Sequence, residues 1–157
     1  MRHPRGDGDG WARCARGHRH WGVFGAAGLL LWHDGAVLLQ HRAEWSHHGG
    51  TWGILGGARN SGETAAEAAA REATEEAGLS RSAYEVGGEH VDDHGGWAYT
   101  TVLARPARSI EPADLRLDGE SDGVAWVPLA DLTDVDLHPG LAGSLARLRP
   151  LLADAAG

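Results

Sequence analysis

Glu63, Arg71, Glu72, Glu75 and Glu76 are five of the seven ionisable side chains in the 23 residues GARNSGETAAEAAAREATEEAGL that run from Gly57 to Leu79. Thr64 followed three residues on by Glu67 reads as a capping box, and Gly78 suits the left-handed position after a helix, so the spacing predicts a helix over Ala65 to Ala77. At about 100° per residue, Glu72, Glu75 and Glu76 project from one side of that helix. Ala66, Ala69, Ala70, Ala73 and Ala77 line another. An alanine face lets the helix axis approach a sheet closely and would hold the carboxylates at a fixed height above what they serve. Glu72 and Glu76 are a like-charged i,i+4 pair, which costs an isolated helix about 0.2 to 0.5 kcal/mol. A divalent cation would remove that cost. Carboxylate oxygens with no cysteine or clustered histidine among them favour Mg2+ or Mn2+ over zinc. Three glutamates by themselves more often form a solvated acidic helix end.

The spacing around the glutamates changes that weighting. The pattern G-x5-E-x7-R-E-U-x-E-E-x-G-U, with U aliphatic, is met by Gly57, Glu63, Arg71, Glu72, Ala73, Glu75, Glu76, Gly78 and Leu79. It resembles a complete Nudix box. Upstream, Trp52-Gly53-Ile54-Leu55-Gly56-Gly57 is similar to the W-x-x-P-G-G segment of that family, with Leu55 where proline is common. Ala73 is a small member of its aliphatic class, which suggests looser packing there.

The resemblance implies an α/β/α sandwich around a mixed central sheet, with the box as loop, helix and loop. It implies hydrolysis of a nucleoside diphosphate linked to another group. Water attack on an anionic diphosphate needs divalent cations to neutralise charge and lower the pKa of water. Carried over by position, Glu72, Glu75 and Glu76 are the metal-binding carboxylates, one of them also a candidate base. Gly57 would place a backbone carbonyl near a metal, and Glu63 with Arg71 would brace the loop against the helix. Glu120, in LDGESDGVAWV, is a candidate for a further acidic ligand, ranked ahead of Asp122.

The GAAGLLL strand, the GG-x-x-x-x-GET approach and the aromatic Trp97-Ala98-Tyr99 are similar to the MutT-like branch, which hydrolyses nucleoside triphosphates, 8-oxo-dGTP among them, to the monophosphate and pyrophosphate. Asp92 to Gly96 contains no proline of the kind ADP-ribose-type enzymes often carry past the box. A diphosphohydrolase of ADP-ribose or a dinucleoside polyphosphate, and a non-catalytic nucleotide-sensing domain, remain as alternatives. Trp97 and Tyr99 are candidates for stacking on a base, against the competing reading of core packing. Arg42 and His48 complete the candidate substrate-binding set. His48 shares the loop before the box with Trp45 and His47, and loops beside active sites often contact substrate.

A length of 157 residues suits one domain, divided here into a lead segment, 1–20, and a domain, 21–157. The formal charge is −8, and all 14 basic residues other than histidine are arginines. This argues against general nucleic-acid binding and against attachment to anionic membranes. The lead segment lacks the apolar core of a secretory signal, so a cytoplasmic monomer or homodimer acting on a small-molecule nucleotide is expected. Cys14 is the only cysteine and forms no intramolecular disulfide. With His18 and His20 it offers metal-ligand types, but a lone cysteine in a Gly/Arg-rich segment reads as incidental.

Trp21 to Trp32 reads as a buried strand, too short and glycine-broken to cross a membrane. His33-Asp34-Gly35 supplies hairpin chemistry and Ala36 to Arg42 the returning strand. Beyond the box, Tyr84 to Asp92 and Trp97 to Ala107 read as a second strand pair, and Val124 to Val127 as a short strand. Pro128 opens a short helix over Leu129 to Leu132, and Leu141 to Leu152 is a terminal amphipathic helix.

Overall fold

The computed structural model describes residues 6–46 and 48–156, with side chains as far as residue 152. His47 and the first five residues of the lead segment lie outside them. Two short strands, β1 (Trp11–Arg13) and β2 (Arg19–Trp21), form a hairpin of their own, and β2 runs across the 20/21 division. The main sheet begins with β3 (Ala26–His33) and β4 (Ala36–Arg42), joined by a two-residue turn in which Asp34 and Gly35 have φ of 51° and 76°. Positive φ at both positions matches the turn to the twist of the strands.

β3 and β4 pair only at Trp32↔Val37 and His33↔Ala36 before they splay. Into the opening run β5 (Trp52–Gly53), which pairs with β4, and β6 (Leu55–Ala58), which pairs with β3. The glycines Gly56 and Gly57 therefore sit where the sheet divides. On its other edge β3 lies parallel to β8 (Ala98–Pro106), which is antiparallel to β7 (Tyr84–Asp93). Finally β9 (Ser121–Pro128) runs antiparallel along β4. The sheet is mixed, as an α/β fold of this kind requires.

Side chains alternate across it. Ala27, Leu29, Leu31, Leu38, Val102 and Ala104 face the alanines of α1 (Ala65–Ala77). Leu30, Trp32, Val37, Leu39 and Leu103 meet the second layer, where Leu141, Leu148 and Leu152 of α2 (Pro139–Ala156) close the core. Because β3 is covered on both faces, all but its last residue are buried and it reads as a continuous apolar run.

The box helix spans the expected residues, with both halves of the Thr64–Glu67 capping box formed and Gly78 left-handed at φ 65°. Its faces divide differently from the helical-wheel expectation. Glu72 and Glu76 are buried on the same side as Ala65, Ala68, Ala69, Ala73 and Ala77, because that side meets the glycine backbone at the split in the sheet. Ala73 is fully buried.

Other boundaries also differ. The expected strand from Trp21 starts at Ala26, since Gly22 and Gly25, both at positive φ, turn the chain and leave Val23 and Phe24 exposed. The strand expected at Val124 begins at Ser121, where pairing with β4, shifted in register between His41 and Arg42, extends it. The turn after it is a 3-10 helix over Leu129–Asp134 with Pro128 as N-cap instead of first helical residue. Among the described residues no helix is long and apolar enough to cross a membrane.

Close approach of α1 makes its buried alanines intolerant of size. Ala69 is 0% exposed, so Ala69→Leu should overpack the interface and cost roughly 1 to 3 kcal/mol. At about 2 to 4 °C per kcal/mol for a domain of this size, thermal denaturation should show a clear fall in Tm, and an unchanged Tm would refute the tight contact.

Candidate active site

One guanidinium organises the acidic end of α1. Arg71 grips Glu63 through two parallel bonds, Nε to Oε2 at 2.8 Å and Nη2 to Oε1 at 2.9 Å. Nη2 also donates to the Ala58 carbonyl at 2.9 Å, while Nη1 donates to Glu72 at 2.9 Å and to Glu75 at 3.3 Å. The planar fork suits this bidentate geometry in a way a lysine could not. Hydrogen bonding from Arg71 holds the Glu63 carboxyl below its ordinary range, and Glu63 in turn raises the Arg71 pKa. Glu63 also accepts the Asn60 N–H at 2.8 Å, so the residues after Gly57 are pinned to the helix at both ends. Glu67 is engaged in the capping box with Thr64.

Glu76 is only 4% exposed. Its Oε1 accepts the Gly56 N–H at 2.8 Å and its Oε2 the Gln40 amide at 3.4 Å, both neutral donors. Burial first, and then the negative charge of Glu72, push its pKa well above the ordinary carboxylate range. Glu72 is held beside Gly57 so closely that a Cβ built there would lie 2.7 Å from the Glu72 carboxyl carbon. Only glycine fits. The site thus gathers carboxylates whose repulsion the described hydrogen bonds relieve only in part, and their hard oxygens match a divalent cation such as Mg2+ or Mn2+.

The loop before β9 closes the other side. The N–H groups of Arg116 and Asp118 donate to the Ala77 and Glu76 carbonyls at 2.8 and 2.9 Å, satisfying the end of α1. Ser121 donates to Asp118 at 3.4 Å and accepts from Gln40, which links this loop to Glu76. Asp118, whose negative charge contributes to the raised pKa of Glu76, is the acidic residue of this loop nearest the cluster that the sequence reading missed. Glu120, the expected one, is exposed, with its N–H bonded to the Asp118 carboxylate and its carbonyl to Ala43. Gln40 is fully buried, and its signal was a lone amide in the otherwise apolar run AVLLQ.

The candidate substrate residues separate. Tyr99 lies in the field of the acidic cluster, its pKa raised first by burial and next by Glu76. Arg42 ends β4, where it pairs with Ser121; partial desolvation first, and then the Arg42 charge, depress the pKa of His48, which stays largely open to solvent. The His48 ring meets His138 edge-on at 4.6 Å. Trp97 lies apart from them. It is 8% exposed, packed with Cys14 and Ala26, stacked on His20 at 4.0 Å, and its indole N–H is used by the Gly22 carbonyl at 2.9 Å. Its large apolar ring packs in a small core beneath the β1–β2 hairpin, the competing reading of the sequence.

Comparison with known proteins agrees with this geometry. Residues 23–148 match the model of the NUDIX domain. A Mycobacterium tuberculosis protein provisionally named 8-oxo-dGTP diphosphatase 3 is 49% identical over 158 residues, covering 92% of this chain and 70% of its own. The crystal structure of a Nudix hydrolase from M. smegmatis, RenU, superposes with a TM-score of 0.82 at 45% identity, covering 94% of this chain and 96% of that one. A C. elegans Ap4A hydrolase shares the fold at 21% identity, with a TM-score of 0.66 over 82% of this chain and 98% of its own. With its box residues gathered around Arg71 and a family match across most of its length, the chain belongs to the Nudix hydrolases.

Proposed function

We propose that this Nudix hydrolase is a Mg2+- or Mn2+-dependent nucleoside triphosphate diphosphatase that acts on purine nucleotides, with an oxidised purine such as 8-oxo-dGTP as a leading candidate. The observation that carries the reading is the Glu72–Glu75–Glu76 cluster at the split in the sheet, with Glu72 and Glu75 held by Arg71 and Glu76 by the Gly56 N–H. The name of the 49% identical M. tuberculosis protein favours the oxidised purine.

In the net reaction a water oxygen bonds to phosphorus, the bridging P–O bond breaks, and the products are the monophosphate and pyrophosphate. Glu72, Glu75 and Glu76, with the Gly57 carbonyl, would hold divalent cation, which would supply charge neutralisation and a more acidic water. The chain's own residues do the positioning. The Gly56 N–H and Gln40 amide fix Glu76, while Arg71 fixes Glu63 and Glu72 and ties the loop to the helix. Glu75 is the less buried carboxylate, tethered to Arg71 by the longer 3.3 Å contact, and is the better placed to take a proton from water. Arg42, whose charge acts on both Tyr99 and His48, would offer a positive group to a polyphosphate, and His48 a hydrogen-bonding one.

Glu75→Gln and Glu76→Gln keep side-chain shape but remove an anionic oxygen. Turnover with Mg2+ should fall about a hundredfold or more in each, with near-native circular dichroism, and near-normal rates in both would remove the cluster from the chemistry. A nucleotide panel tests the substrate. Purine triphosphates should show the highest kcat/KM and release pyrophosphate, whereas preferential cleavage of ADP-ribose or a dinucleoside polyphosphate would overturn the diphosphatase reading.

A further inference from the structure

A second cluster of ligand types lies away from the box glutamates, under the β1–β2 hairpin. The Cys14 sulfur, a ring nitrogen of His20 and a ring nitrogen of His94 lie within 4.8 Å of one another. They come from three segments: the end of β1, the middle of β2 and the turn between β7 and β8. Two of the nitrogens, His20 Nε2 and His94 Nδ1, are buried without a hydrogen-bond partner. Cys14 is buried and forms no disulfide.

We propose that Cys14, His20 and His94 form a site for zinc or a similar borderline transition-metal ion, which fastens the lead hairpin to the β7–β8 turn. Thiolate and imidazole are the donors such ions prefer, and a fourth position would be left for water. Tetrahedral zinc with bonds of about 2.0 to 2.3 Å needs its ligand atoms about 3.3 to 3.8 Å apart. The observed spread requires a contraction of about 1 Å, which side-chain rotation can supply. On binding, the thiol proton passes to solvent.

The surroundings are built for this role. His94 presents its other nitrogen, Nε2, to Asp92 Oδ2 at 3.0 Å, and Asp92 is anchored to α2 by Ser144 at 3.4 Å and Arg147 at 3.2 Å. A carboxylate behind a histidine fixes the tautomer and ring orientation that a metal needs. Stacking on Trp97 orients the His20 ring. The backbone is already docked, since Ala15 N–H donates to the Gly95 carbonyl at 2.6 Å. His18, the third residue singled out with Cys14 and His20 in the sequence, is exposed, and His94, distant in the sequence, takes its place.

The single cysteine makes a specific test possible. The full-length protein, stripped of metal, is titrated with Co2+ and followed by ultraviolet and visible absorption. A sulfur-to-cobalt charge-transfer band should saturate at the intensity of one thiolate-bound ion per chain and disappear on adding Zn2+. Co2+ bound at the box glutamates gives no such band, so Glu76→Gln should leave it intact. His94→Gln, which keeps bulk and can be checked for folding by circular dichroism, should weaken binding at least tenfold, and Asp92→Asn about ten- to a hundredfold. Absence of the band in folded wild type would overturn the site. So would a band of unchanged affinity in both His94→Gln and Asp92→Asn, which would mean adventitious binding by the thiol alone.

Discussion

Two carboxylates, Glu72 and Glu76, are buried on the face of α1 that packs against the sheet, and much of the domain is arranged to make that possible. Ionised carboxylates are costly to bury unless each oxygen finds a donor or a counterion. Small residues on the same face bring the helix close enough for the Gly56 N–H to reach Glu76. The lack of a side chain at Gly57 leaves room for Glu72. Arg71 then shares one positive charge among Glu63, Glu72 and Glu75. The compensation is incomplete, as the raised pKa of Glu76 records, and a divalent cation is the agent best suited to complete it.

The same constraint accounts for the divided sheet. If β3 and β4 paired along their length, β5 and β6 could not enter between them and the glycine backbone would not reach the acidic end of α1. The early separation of the hairpin after two residue pairs therefore serves the site as well as the fold. The Arg116–Asp118 segment finishes the arrangement from the opposite direction, where its N–H groups close the helix and bring Asp118, Ser121 and Gln40 into one network with Glu76.

Local signals were legible where chemistry and structure coincide within a few residues. The capping box, Gly78 and the Asp34-Gly35 turn all appear where the sequence places them, because each is decided by contacts three or four residues apart. Helical spacing alone could not reveal that Glu72 and Glu76 face inward, since this depends on where the sheet opens. Likewise Trp97 and Tyr99 are two residues apart on one strand approach, yet Trp97 is covered by a hairpin whose docking is a long-range event. Glu120 and Asp118 differ for the same reason, since the turn between them, not their composition, decides which one lies near Glu76.

The central claim is that the buried carboxylates form a divalent-cation site, and direct observation of Mn2+ tests it without reference to substrate. In an electron paramagnetic resonance titration the signal of free Mn2+ should be quenched by wild-type protein. Replacing Glu72 with Gln, which leaves the alanine face intact, should weaken that binding by about tenfold or more. Equal Mn2+ affinity in wild type and Glu72→Gln, with both proteins folded, would contradict the account.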